Sequence, residues 1–170
     1  MDTLLDEMLH STQLPWQVIL ARLLLAVALG GILGFERELA DRPAGFRTHM
    51  LISLASAAFT IITLEMLSMP AFEPDDVRFD PLRLVDAITA GVAFLAAGII
   101  LMRHGEVKGL TTGAGMWLAA AAGLAAGLGL WLIAVLASGL GALILAAVRR
   151  LETELSLKSP REGCESDSGS

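Results

Sequence analysis

The sequence predicts an all-α, polytopic membrane protein: a bundle of five transmembrane helices, N-terminus outside and C-terminus cytoplasmic. Three observations predict it. The chain of 170 residues is 55% hydrophobic and only 18% charged, with a mean hydropathy of +0.67, against 45–50% apolar and about 25% charged for soluble domains. From Leu110 to Val148 no Asp, Glu, Lys, Arg or His occurs, a run that as helix would measure roughly 58 Å, about twice a hydrocarbon core. The basic residues between the apolar segments are distributed asymmetrically.

The first span runs from about Val18 to Phe35 and carries Arg22. Ahead of it, residues 2–10 place Leu4, Leu5, Met8 and Leu9 together on a helix with acids opposite, which fits a short interfacial helix or a frayed end. Asp2, Asp6 and Glu7 stand where a cleaved signal would be basic, so the first apolar segment is expected to be retained. The second span covers about Thr48 to Leu67, with Glu65 near its end, and the third about Leu84 to Met102. Between them Pro70, Pro74 and Pro81 mark residues 68–83 as an external loop. The long apolar run holds the fourth and fifth spans, about Leu110 to Leu128 and Leu130 to Val148, turning at Gly127-Leu128-Gly129. The expected organisation is an external segment 1–17, a membrane domain 18–148 and a disordered cytoplasmic tail 149–170 rich in Ser, Gly, Pro and charge.

Orientation follows from Lys and Arg in the connections. Arg37, Arg42 and Arg47 of the first loop, Arg103 and Lys108 of the third and Arg149, Arg150, Lys158 and Arg161 of the tail fall on one side, nine in all, and only Arg78 and Arg83 of the second loop fall on the other. The richer side is the cytoplasm.

Composition also excludes classes of function. A net charge of −6 does not suit nucleic acid. The single cysteine, Cys164, excludes an intramolecular disulfide and a cysteine-based metal site. There is no Ser-His-Asp or Cys-His arrangement and no phosphate-cradling Gly loop with its Lys, so an enzyme is not expected, and no cofactor is implied.

Small residues at i, i+4 spacing allow helices to approach closely in lipid. Gly115, Ala119, Gly123 and Gly127 form such a ridge in the fourth span, Ala134, Ser138, Ala142 and Ala146 in the fifth, and Ala26, Gly30 and Gly34 continue one from Arg22 in the first. These ridges serve an intramolecular bundle or contact between copies in a homo-oligomer.

Polar groups fall into two layers. Glu36, Arg37, Glu38, Arg47, Thr48, His49, Arg103, Lys108, Thr111 and Thr112 lie near the cytoplasmic face; Arg22, Glu65 and Asp86 lie near the exterior. Glu36, Glu38 and Asp41 could offer oxygens to Mg²⁺, and salt bridges with Arg37 and Arg42 explain the same residues, so the metal question stays open. Arg47 is expected to pair with Glu36 at the same depth. His49 has no second His or Cys beside it and reads as interfacial. Thr111-Thr112 could cap the fourth helix or make a binding contact. Arg22 could snorkel outward or pair with Glu65 or Asp86; a pair with Asp86 is expected.

Four segments, in order, resemble the MgtC/SapB family of bacterial inner-membrane proteins: Gly30-Gly31-Ile32-Leu33-Gly34-Phe35-Glu36-Arg37-Glu38, Ala44-Gly45-Phe46-Arg47-Thr48-His49-Met50-Leu51, Asp80-Pro81-Leu82-Arg83 leading to Gly91-Val92-Ala93-Phe94-Leu95-Ala96-Ala97-Gly98, and Gly109-Leu110-Thr111-Thr112-Gly113-Ala114-Gly115-Met116-Trp117. Ala93 and Ala96 replace usual glycines, and Asp86 a usual small apolar residue. The resemblance implies a multi-pass protein of the bacterial cytoplasmic membrane linked to growth at low Mg²⁺ and, in pathogens, to survival in host cells. It implies action on other membrane proteins, ATP synthase among them, with homo-oligomers expected. Functional positions carried over are Glu36, Arg37, Arg47, Thr48 and Thr111, with Gly30, Gly34, Gly91, Gly98, Gly115, Gly123 and Gly127 expected at helix contacts. Many members carry a C-terminal cytoplasmic soluble domain that this sequence does not reach, so activity tied to that domain is not implied. The competing reading, an ion carrier or channel, rests on Arg22, Glu65 and Asp86. The apolar centres of spans three to five argue against it, because transporters need polar groups or broken helices at mid-depth.

Overall fold

A computed structural model describes residues 12–39, 44–69, 80–103 and 106–158. Five helices account for nearly all of it: α1 Trp16–Leu39, α2 Phe46–Leu67, α3 Pro81–Ile99, α4 Leu110–Leu128 and α5 Trp131–Lys158. All five contain stretches long and apolar enough to cross a membrane, as the hydropathy predicts. A short antiparallel hairpin, β1 Leu101–Arg103 and β2 Glu106–Lys108, joins α3 to α4, with Met102 opposite Val107.

α4 is the axis of the bundle and packs against each of the other four helices. Its side chains explain that position. Gly, Ala and Thr line it on almost every side, so neighbouring backbones approach within contact distance without bulk to hold them apart. α1 and α2 complete the tight core with α4, while α3 touches chiefly α4. Two glycines with left-handed backbones bracket the axis, Gly109 at φ +94° before α4 and Gly129 at φ +79° after it. An L side chain is strained in that region, which accounts for glycine at both ends. At the start of α3, Asp80 Oδ1 accepts from Leu82 N at 3.0 Å, and Pro81 occupies the first helical position, an N-cap that starts this helix three residues earlier than the apolar pattern indicates.

Several expectations are corrected. Thr111 and Thr112 do not cap α4: Gly109 holds the N-cap position and no side chain bonds there. The tail expected to be disordered from Arg149 instead continues α5 as helix to Lys158, consistent with its Leu, Glu and Lys content. Among the described residues, Gly91 and Gly98 meet no other helix, for a Cβ on either would find nothing within 4 Å. Only Val92 of α3 is buried; a glycine ridge permits close approach but supplies no partner. The suggested helix at 2–10, most of the 68–83 loop and Asp41 lie outside the described residues.

Candidate functional site

The helix spacing of α2 puts His49, Ser53, Ser56 and Thr60 at i, i+4, i+7 and i+11, one face of the helix. All four are buried, His49, Ser53 and Thr60 completely. This face meets the glycines of both neighbours. A Cβ on Gly30 of α1 would stand 2.6 Å from the His49 carbonyl oxygen and 2.8 Å from Ser53 Cβ; one on Gly34 would stand 2.8 Å from Phe46 Cα. On the α4 side, Gly115 makes room for the His49 ring (3.0 Å from a Cβ there to Nε2), Gly123 abuts the Ser53 backbone, and Gly127 lies against Ala57 and Thr60. The polar stripe therefore runs down the seam where α1, α2 and α4 meet.

Within the stripe, Thr60 donates to the Ser56 carbonyl at 2.7 Å, the back-bonding by which a helix satisfies a buried hydroxyl. His49 Nδ1 donates to the Gly45 carbonyl at 3.0 Å, leaving Nε2 as the acceptor. His49 Nε2 and Ser53 Oγ are buried with no hydrogen-bond partner among the described residues. His49 is thus an interior residue, not the interfacial one expected. Its spacing with the hydroxyl residues was a legible signal, obscured because each residue alone is weakly polar.

Above the stripe lies the charged rim. Glu36 and Arg37, both largely buried, approach at 3.5 Å through Oε2 and Nε. Arg47, expected to pair with Glu36, is instead exposed, and among the described residues no ion pair joins the two. Arg47 opens α2 on a face away from the buried stripe, whereas Arg37 follows Glu36 directly. Glu38 serves the next helix, its Oε2 accepting from Phe46 N at 3.0 Å and closing the first turn of α2, where negative charge also suits the helix dipole. Thr48 is exposed less than fully but outside the core. Of the threonine pair, Thr111 is exposed and Thr112 buried, so the interior hydroxyl is the neighbour of the expected one.

At the other end the charges are likewise tied to helix termini. Arg22 Nη1 donates to the Gly127 carbonyl at 2.7 Å, one of the last-turn carbonyls without a partner inside its own helix. Arg22 also lies against Gly129, where a Cβ would meet Nη2 at 2.8 Å. The expected ion pair with Asp86 is absent: Asp86 is exposed on α3, and among the described residues no acid pairs with Arg22. Glu65 receives Gln13 N at 2.8 Å and Leu14 N at 3.0 Å, fastening the segment that leads into α1. Among the described residues no cluster of three or more His, Cys, Asp or Glu is placed to hold a metal ion.

Comparison with known proteins follows the same lines. Residues 23–154 match the sequence model of the MgtC family. The chain is 35% identical over 142 residues to YhiD of Escherichia coli (strain K12), whose name carries a provisional assignment as a magnesium transporter; the match covers 81% of this chain and 64% of that protein. It is 38% identical over 117 residues to protein SapB of Bacillus subtilis (strain 168), covering 66% and 50%. Protein MgtC of Brucella abortus (strain 2308) is 34% identical over 138 residues, covering 81% and 54%. The chain thus spans between half and two thirds of the length of these relatives. No solved structure matches it.

Proposed function

The chain belongs to the MgtC family, and from that premise we propose that it is a non-enzymatic regulatory protein of the bacterial inner membrane, serving Mg²⁺ homeostasis and adaptation to low Mg²⁺ or host stress by modulating other membrane proteins, ATP synthase being the first candidate. Its N-terminus faces outward and its C-terminus the cytoplasm. Glu36, Arg37, Arg47, Thr48 and Thr111 form the cytoplasmic rim through which it acts, and the protein works as a homo-oligomer.

One observation carries the choice of regulator over ion carrier. Of the three charges that would serve a permeating ion, Arg22 and Glu65 are engaged with backbone groups at helix ends, Gly127 O in one case and Gln13 N and Leu14 N in the other, and Asp86 is exposed on α3, outside the seam. Between these layers the seam is filled by glycine backbone against Ser53, Ala57 and Thr60. An ion crossing there would have to displace packed backbone in a low-dielectric interior.

Two measurements test the reading. Purified protein in liposomes is expected to give Mg²⁺ flux no higher than empty liposomes; robust flux that Glu65→Gln abolishes would replace the regulator with a carrier. Affinity purification from native membranes is expected to enrich ATP synthase subunits, with the enrichment lost in Arg47→Ala. Recovery without those subunits would remove the synthase as the partner.

A further inference from the structure

α3 meets the bundle along one side, through buried Val92 and the partly buried Ile88, Ala96 and Ile99. With 3.6 residues per turn, Arg83, Asp86, Ala87, Ala90, Phe94 and Ala97 share the opposite side. All six are exposed, Phe94 to 81%. Gly91 lies about 100° round the helix from Ala90, outside this face.

Two features set the face apart from one that lipid alone would cover. Asp86 stands about 7.5 Å of helix rise beyond Pro81, and among the described residues neither it nor Arg83 has an ion-pair partner. Charged side chains within spans face protein and pair there, because lipid solvates them poorly. Asp86 instead turns away from its own bundle. The second feature is size. The exposed side of α5 carries Leu132, Leu136, Leu140 and Leu143, whereas this face carries Ala87, Ala90 and Ala97 around a single large ring, Phe94. Small residues there let another helix approach closely, and Phe94 projects between the hollows at Ala90 and Ala97, one turn to either side.

We propose that this face of α3 binds the same face of a second copy, about a two-fold axis along the membrane normal. The contact gives the homo-oligomer proposed above its interface, and rests on that reading. The face selects a second copy because it is complementary to itself. It carries a cation and an anion, a projecting ring and shallow hollows, so an isologous contact matches each with the other. Two copies inserted in the same orientation set α3 parallel to α3, with equal residues at equal depth. Arg83 and Asp86 differ by three residues, about 4.5 Å of rise, within the reach of an arginine side chain. Arg83 of each copy therefore pairs with Asp86 of the other.

The test is pairing of the full chain in native membranes, read by co-purification of two differently tagged copies. Wild-type copies are expected to co-purify. Asp86→Arg alone, or Arg83→Asp alone, puts like charges across the seam and should lower the yield on the order of tenfold. Asp86→Arg in one copy with Arg83→Asp in the other restores opposite charges and should recover the wild-type yield, which misfolding of either variant would prevent. Oxidative cross-linking reads the same contact with the charges intact. In a Cys164→Ser background, Ala90→Cys and Ala97→Cys should form disulfide-linked dimers. Leu95→Cys, exposed on another side of α3, should not. Full co-purification of the single charge variants, or a mixed pair no better than either alone, would overturn the interface and leave the homo-oligomer standing. Cross-linking through Leu95→Cys and not Ala90→Cys would do the same. Wild-type copies that fail to co-purify would overturn the homo-oligomer itself, and the interface with it.

Discussion

Replacing glycine by alanine at two positions of this bundle should move stability in opposite directions. At Gly123 an added Cβ stands 2.8 Å from both the Cα and the carbonyl carbon of Ser53, and closer still to its oxygen. Carbon pairs are most favourable at about 3.5–4.0 Å, so α2 and α4 must part by about 1 Å. Alanine gains up to about 1 kcal/mol over glycine in a helix interior, whereas overpacking costs about 1–3 kcal/mol. Parting the helices also weakens neighbouring contacts at Gly115 and Gly127. The net expectation for Gly123→Ala is a loss of about 1–2 kcal/mol. At Gly91 nothing lies within 4 Å of the added Cβ, so the propensity term stands alone and Gly91→Ala should be neutral or stabilising by up to about 1 kcal/mol. Reversible unfolding in mixed micelles, followed by far-UV circular dichroism, measures both. A Gly123→Ala protein as stable as the wild type would refute the close contact of α2 with α4. A Gly91→Ala protein that loses as much as Gly123→Ala would show that α3 has a partner on that face.

Arg22→Met should cost about 1.5–2 kcal/mol in the same assay, the lower part of the range for a hydrogen bond from a charged group, because Arg22 is only half-buried. A double-mutant cycle with Asp86→Asn should show coupling below about 0.5 kcal/mol. A cytoplasm-active reporter fused after Arg150 should be active and one placed at Asp75 inactive; the reverse pattern would invert the topology derived from the basic residues. Arg47→Ala should leave the protein abundant in the membrane and impair growth at low Mg²⁺, since Arg47 is exposed at the start of α2; loss of the protein itself would make the residue structural.

What could be read from the sequence depended on how many residues carried each signal. Five spans were legible because each is an apolar run of about twenty residues, and α4 begins and ends where that run predicts. Helix ends were less so, since Glu36, Arg37 and Arg47 are helical yet polar, and apolar counting stops short of them. The hairpin at 101–108 was not legible at all: three-residue strands are too short to show alternation. In the candidate site the glycines at 30, 34, 115, 123 and 127 announce themselves by spacing, but spacing does not say which faces meet, and the glycines at 91 and 98 face open space. Arg22 shows a further limit. Charge counting finds acids for it, whereas its partner is a main-chain carbonyl that every residue type possesses.

That last point bears on why this bundle contains charge inside its spans. A helix ending within or near the hydrocarbon leaves carbonyls and N–H groups unbonded, each costly without water. The turn from α4 to α5 has no polar side chain of its own, because Gly127, Leu128, Gly129 and Leu130 supply none. Its backbone bonds close the turn only in part, through Gly129 N to Ala126 O and Leu130 N to Ala125 O. The Gly127 carbonyl is left to Arg22, which reaches it across the α1–α4 contact. Glu65 does the corresponding work for N–H groups ahead of α1, and Glu38 for the first turn of α2. In each case a charged group from one helix completes the end of another, so the ends fasten to one another while the middle is held by glycine contacts. Such a bundle resists sliding of one helix past its neighbour, which suits a body that presents fixed surfaces to partners better than one that must rock to carry an ion.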